Sequence, residues 1–327
     1  MMATIAMTVF AVVALLASGW ALLWLDRGRP GQLGWLVGLS AWALTTPALV
    51  RLIARFLVGD EQSGVQTTAG VDVVPAWPAL VALALLAVVL PLLLLTKFKI
   101  VDGAGEGAVF GSASGVGFGA FVIALTNFGP RAIAVTIALF VLVLCAGAGA
   151  TLGAGLGFVE LSASPRWRLA WAVPSVAAAA LQVTALAFAA GCCWEYWGRA
   201  DLVTNLALLA LALVVLAVAL VGAWLVERRI IALQLGEEFE LGVLPAWVVG
   251  VIPVYWRRVN AKWWPRRDER REIVRLLVAL AFRKHELRAL PDDSVQLYGL
   301  EVGRLRQRAR TLLAMAPAVA PRQEGAS

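Results

Sequence analysis

The sequence predicts an all-α fold: a polytopic transmembrane helical bundle of about seven spans with a C-terminal cytosolic helical tail. Three observations predict it. Of the 327 residues, 61% are hydrophobic and the mean hydropathy is +0.82, beyond what a soluble core of this size calls for. Apolar runs of about 20 residues recur, each long enough to cross a hydrocarbon layer of ~30 Å. Charge gathers at the end of the chain. From Glu227 onward, 18 Lys and Arg stand against 12 Asp and Glu, so +6 of the formal net charge of +7 lies there. Residues 1–226 therefore read as the membrane domain, and residues 227–327 as a membrane-associated tail with a disordered end.

The elements follow in order. Residues 4–25 form the first span; no basic n-region or clear cleavage pattern marks them as a signal peptide, so they read as retained. Asp26, Arg27 and Arg29 close this span and Pro30-Gly31 turns the chain. Residues 33–52 form the second, ending in Arg51 and Arg55, and the polar, turn-rich stretch 59–75 is a loop. Residues 76–96 form the third, uncharged until Lys97 and Lys99. The fourth covers 107–127 and stops at Gly129-Pro130; the fifth covers 132–159, the sixth 169–191 with Pro174 inside, and the seventh 202–226. Arg27/Arg29, Lys97/Lys99 and Arg166/Arg168 fall on the tail side, and Arg51/Arg55, Arg131 and Arg199 on the other. Together with the basic tail this puts the N-terminus outside and the C-terminus in the cytosol.

In the tail, residues 227–241 are amphipathic and extend the last span. Residues 244–259, apolar and aromatic but broken by Pro245 and Pro253, are expected to lie on the membrane surface. Helical spacing over 270–290 and 294–315 predicts two amphipathic helices that pair as a hairpin, the second basic along its outer face. His285, the single histidine, lies in a charged helical stretch and is expected to be solvated.

The fourth span carries the most distinctive pattern. Gly103, Gly107, Gly111, Gly115 and Gly119 recur every fourth residue, which places them on nearly one helix face. An interior glycine costs about 1 kcal/mol relative to alanine in a water-soluble helix, so five on one line call for close packing into the groove they leave. The fifth span has a matching line, Cys145, Gly149, Gly153 and Gly157. On consecutive antiparallel helices the two lines are natural partners.

Little else in the spans bears chemistry. Glu106 stands at the mouth of the fourth helix, where its charge suits a helix N-terminus. The deeper polar residues are neutral: Thr45, Thr46, Ser112, Ser114, Ser175, Gln182 and Thr184. Gln182 and Thr184 are expected to hydrogen-bond across helices. Glu106 and Gln182 make a possible polar site, with no intramembrane His, Lys or Asp to activate a nucleophile. The cysteines, Cys145, Cys192 and Cys193, define no disulfide framework, and a lone histidine leaves no ordinary zinc site, so neither a metal nor another cofactor is expected. The basic excess of the tail points to anionic lipid head groups, and the acidic residues interleaved in it speak against nucleic acid.

Two runs carry a family resemblance: Glu106-Gly107-Ala108-Val109-Phe110-Gly111, then Gly115-Val116-Gly117-Phe118-Gly119. They resemble the pattern D-G-x-x-Y-G, spacer, G-x-G-F-A-x-x-E-N of the PrsW family of bacterial intramembrane proteases, within the group that includes the CPBP type. The tail is similar as well, at Glu227-Arg228-Arg229-Ile230-Ile231, Gly236-Glu237-Glu238, Tyr255-Trp256-Arg257-Arg258 and Leu280-Ala281-Phe282-Arg283-Lys284-His285. The resemblance implies a PrsW-like core over 76–226 and a bacterial cytoplasmic membrane. It also implies catalytic side chains that this chain replaces. The paired glutamates belong in the third span, which has no charge, and the E-N pair falls on Val122 and Ile123. The histidine expected in the fifth span falls near Cys145, and the H-x-x-x-N-type site near Gln182.

The expected function is therefore that of a catalytically inactive homologue. It would serve as a binding or regulatory scaffold that holds a transmembrane protein partner in the glycine groove. An active protease using Glu106, Cys145 or Gln182 in another arrangement, and a small transporter or lipid-handling protein, are the alternatives.

Overall fold

The computed structural model describes residues 32–58, 85–97, 103–125, 131–197, 201–254, 257, 267–288 and 292–314. All regular structure among them is helical. Helix α1 spans Gln32–Val58. A π-helical turn, Leu85–Val89, leads into α2, Leu90–Lys97. Then come α3 (Ala104–Leu125), α4 (Arg131–Leu161), α5 (Pro165–Tyr196) and α6 (Leu202–Glu240). The chain closes with the short α7 (Ala246–Val251), then α8 (Arg267–Leu287) and α9 (Asp292–Ala314).

Four of these helices, α3 to α6, are long and apolar enough to cross a membrane. They fall on the fourth to seventh predicted spans. The first predicted span and the 59–75 loop lie outside the described residues, and the third is described only from residue 85. Local chemistry sets several boundaries. Helix α5 starts at Ser164 with Pro165 at its first position, where a missing N–H is harmless, and passes through the exposed Pro174 without ending. Asp201 caps α6, accepting from the Val203 and Thr204 amides at 3.3 and 3.0 Å. Helix α6 ends where Gly242 takes a φ of +68° and the Val243 N–H returns to the Glu238 carbonyl at 2.9 Å. That is a left-handed glycine cap.

Helix α3 is the centre of the bundle, packed mainly against α4 and α1, with contacts to α6 as well. The α3/α4 seam is made by glycine. A Cβ on Gly107 would collide with the carbonyl of Gly153, one on Gly111 with Gly149, and one on Gly115 with Cys145. The reverse holds for Gly149 against Gly111, Gly153 against Gly107 and Gly157 against Gly103. The two backbones therefore meet directly, as small-residue helix pairs do in bilayers. Gly119 ends the line with more room, since a Cβ there would lie 3.2 Å from the Cβ of Cys145. Gly117, on the other side of α3, admits α1 at the Ser40 carbonyl. The groove predicted from the sequence is thus filled by α4, and it is not free to hold a partner.

Helices α5 and α6 lie outside this pair and meet α4 along one side each. They touch one another toward the 197–201 connection, where Leu186 and Ala190 pack with Leu208, Ala212 and the α4 residues Phe140 and Leu144. Their outer faces show Leu169, Val173, Leu181 and Phe188 on α5, and Val203, Val214, Val218 and Leu225 on α6. Apolar exposure along two whole helices is the pattern of contact with lipid.

Beyond the last span the structure follows the sequence reading only in part. Helix α6 runs unbroken through residue 240, the expected extension, for 39 residues, about 58 Å. The stretch expected to lie on the membrane surface instead sends Leu244, Val248 and Ile252 into a core. There they meet Ile230, Ile231 and Leu235 of α6 and Ile273, Leu277 and Ala281 of α8. Helices α8 and α9 pair as predicted.

Replacing a seam glycine tests this packing. Gly111→Val is expected to destabilise the protein by about 2–3 kcal/mol, the upper range for overpacking, because a rigid carbonyl blocks relief. Gly222→Ala, where nothing lies within 4 Å of the new carbon, should change stability by less than about 1 kcal/mol. Unfolding curves in mixed micelles would read both.

Candidate functional site

The polar side chains within the bundle are used as joints between helices. Ser40 Oγ on α1 donates to the Ala113 carbonyl of α3 at 2.8 Å. From α3, Ser112 Oγ donates to Ala146 on α4 at 3.3 Å, and Ser114 Oγ to Ala87 at 3.1 Å. These three hydroxyls tie α3 to α1, to α4 and to the π-helical turn, and satisfy groups that lipid cannot. Ser175 Oγ turns back onto Trp171 O at 2.7 Å, in the space left by Gly155.

Helix α4 has two working faces. Cys145, Gly149, Gly153 and Gly157 face α3, whereas Gly147, Thr151 and Gly155 face α5. Two residues apart means a turn of about 200°, so these faces are opposed. On the α5 face, Thr151 Oγ1 lies 3.2 Å from Gln182 Oε1 and 3.0 Å from the Gly147 carbonyl. A hydroxyl has one proton to give. The consistent arrangement has Thr151 donating to Gly147 and the Gln182 amide reversed, so that its NH2, otherwise buried without a partner, donates to Thr151. Gly147 leaves the space for that amide, since a Cβ there would collide with it. Gln182 thus makes the predicted interhelical bond, but Thr184 lies on the exposed face and does not share in it.

The residues singled out from the sequence do not converge. Glu106 is in the first turn of α3 and buried, while Val122 and Ile123 are in its last, about 24 Å along the axis. Ile123 packs with Val116, Ala120, Ala138 and Leu142, an apolar cluster. Cys145 and Gln182 stand on opposite sides of α4. Among the described residues, no three His, Cys, Asp or Glu side chains group as a metal site would require.

The polar chemistry lies instead at the tail end of the bundle, in residues that the sequence reading did not rank. Glu227 of α6 is buried, and its Oε2 accepts from the Gly105 N–H at 2.9 Å, in the first turn of α3. Gly103 makes room for it, because a Cβ there would lie 2.8 Å from the same oxygen. Glu227, from another helix, therefore serves the N-terminus at which Glu106 also stands. Glu286 of α8 does the same for α5, accepting from Ala163 N at 3.0 and 3.2 Å and from Ser164 N at 3.4 Å. Burial raises its pKa above the usual carboxylate value, outweighing Arg283 at 3.6 Å and the two amides.

Glu286 ends a turn of α8 in which five consecutive side chains each meet a different group. Phe282 packs against Phe158 of α4, which itself stacks on Trp171 of α5. Arg283 donates to the Leu161 carbonyl at 2.9 Å and to Glu301 of α9 at 3.1 Å. Lys284 Nζ bridges Glu237 and Glu238 of α6, each at 2.8 Å. His285, expected to be solvated, is half-buried with its ring 5.6 Å from that of Trp167 on α5. Glu238 is fully buried and also takes a two-pronged bond from Arg306 of α9, at 2.6 and 2.7 Å. A buried carboxylate with two cations is compensated; removing either cation would leave it costly.

In comparisons with protein-family models, curated proteins and solved structures, the chain matches none. What the fold defines is a class: an all-helical membrane protein with four described helices able to span a bilayer.

Glu227 offers a test of the polar arrangement. Glu227→Ala should lower stability by about 1–2 kcal/mol, the cost of losing a buried cap, and should speed amide exchange in the first turn of α3. Glu227→Gln, which keeps an acceptor, should recover most of the exchange protection. Exchange read by mass spectrometry on peptides covering 103–110 would show it.

Proposed function

We propose that this chain is a PrsW-like protein of the bacterial cytoplasmic membrane that has lost proteolytic chemistry and acts as a binding or regulatory scaffold for another membrane protein. The observation that carries this reading is at the end of α3. Where the resemblance places a glutamate–asparagine pair stand Val122 and Ile123, and Ile123 is packed into an apolar cluster. Two further observations support it. Ser40, Ser112 and Ser114 are spent on carbonyls of neighbouring helices, and Cys145 and Gln182 face away from each other.

In this reading the chain has seven spans, an outer N-terminus and a cytosolic tail whose basic face lies against anionic lipid head groups. The scaffold meets its partner through the lipid-facing sides of α5 and α6, since α4 fills the glycine groove.

Reconstitution tests the proposal. The purified full chain is placed in proteoliposomes with a fluorescently labelled single-span peptide. Saturable energy transfer from a donor on α5, with the peptide intact on gels after prolonged incubation, is the expected outcome. Cleavage that a chelator stops, or that Glu106→Gln or Gln182→Ala abolishes, would show an enzyme and overturn the reading.

A further inference from the structure

We infer that the turn at residues 282–286 is a pH-sensitive catch: protonation of His285 loosens the α8–α9 hairpin from the ends of α4 and α5. The geometry points to this because four contacts of that hairpin with those two helix ends come from one turn. Phe282 meets Phe158, Arg283 the Leu161 carbonyl, His285 the Trp167 ring, and Glu286 the Ala163 and Ser164 amides. His285 is the single histidine of the chain, and imidazole is the side chain whose ordinary pKa lies between pH 5 and 8.

The charges around it decide the sign. On its own helix stand Arg283, Lys284, Glu286 and Arg288, and on α5 Arg166 and Arg168 flank the Trp167 against which it packs. Of the acids on α6 and α9, Glu237 is committed to Lys284 and Arg288, Glu238 to Lys284 and Arg306, and Glu301 to Arg283; Glu160 stands in the last turn of α4. Glu286 is turned to the amides of α5 and to Arg283. A proton on His285 would add a cation to a half-buried place beside Arg288. Burial and Arg288 lower its pKa from 6.5.

A base held below its ordinary value favours docking above that value and weakens it as pH falls. Down to pH 5.5, an ordinary pKa of 6.5 limits this loss to about tenfold in the docking equilibrium. Glu286 has the opposite sign. Its raised pKa means that docking favours its protonated form, so it supports docking in acid and opposes it as pH rises above 4.5. The wild-type response is the difference of the two, and Glu286→Gln should steepen it.

The full chain in nanodiscs, labelled with 15N in its one imidazole, allows a direct test. A single histidine resonance should titrate below pH 6.5. Hydrogen exchange over 158–168 and 280–288, corrected for the intrinsic effect of pH, should rise several-fold between pH 7.5 and 5.5. His285→Phe, which keeps the ring contact, and His285→Gln should show no such rise. A histidine titrating above 6.5, equal corrected exchange at both pH values in the wild type, or the same rise in both variants would overturn the proposal.

Discussion

Direct contact between the backbones of α3 and α4 is the constraint on which the bundle depends. Where Gly107, Gly111 and Gly115 meet Gly153, Gly149 and the Cys145 carbonyl, there is no side chain to adjust. The separation and register of the two helices are thereby fixed. Around this pair the other helices are placed by smaller devices: Gly117 admits α1, Gly147 admits the Gln182 amide, and Gly155 admits Ser175. In a bilayer, lipid tails are as apolar as leucine, so the hydrophobic effect gives helices no reason to associate. Close packing and interhelical hydrogen bonds must do it, and both are concentrated on α3 and α4.

The residues that follow the last candidate span are joined to the bundle by the same kind of contact. Each of two membrane helices has its N-terminus held by a carboxylate from elsewhere, Glu227 for α3 and Glu286 for α5. Neither acid is local to the helix it serves, so these contacts fasten tertiary structure as well as satisfy amides. The apolar cluster of α6, α7 and α8 and the Glu238–Lys284–Arg306 group then bind the tail to itself.

Much of the fold was legible in the sequence, and the reason is periodicity. Apolar runs locate α3 to α6, and glycines four apart on two consecutive helices name their own partners. Gln182, polar in an apolar run, signalled an interhelical bond. What was hidden depends on distance along the chain. Gly105 and Glu227 are 122 positions apart, and no pattern in either neighbourhood announces their bond. For His285, a charged neighbourhood pointed to solvent, yet those charges are consumed by partners on α6 and α9. Pro245 and Pro253 made the 244–259 stretch look like an interfacial segment, when its spacing of Leu244, Val248 and Ile252 builds a core. The family pattern runs from Glu106 to Ile123 along α3, and nothing in it marks the carboxylates that reach helix ends from elsewhere, Glu227 and Glu286.

The length of α6 between its two buried acids has a mechanical meaning. Glu227 and Glu238 are eleven residues apart, three turns of helix with about 20° left over, so they face nearly the same way about 16 Å apart. One reaches the membrane bundle, the other the tail, and no proline interrupts α6 between them. The helix therefore fixes the phase of the two carboxylates relative to one another. Its phase is also its vulnerability, because one residue inserted in that interval would add about 100° to the angle between the two carboxylates and leave only one of them aligned with its partners.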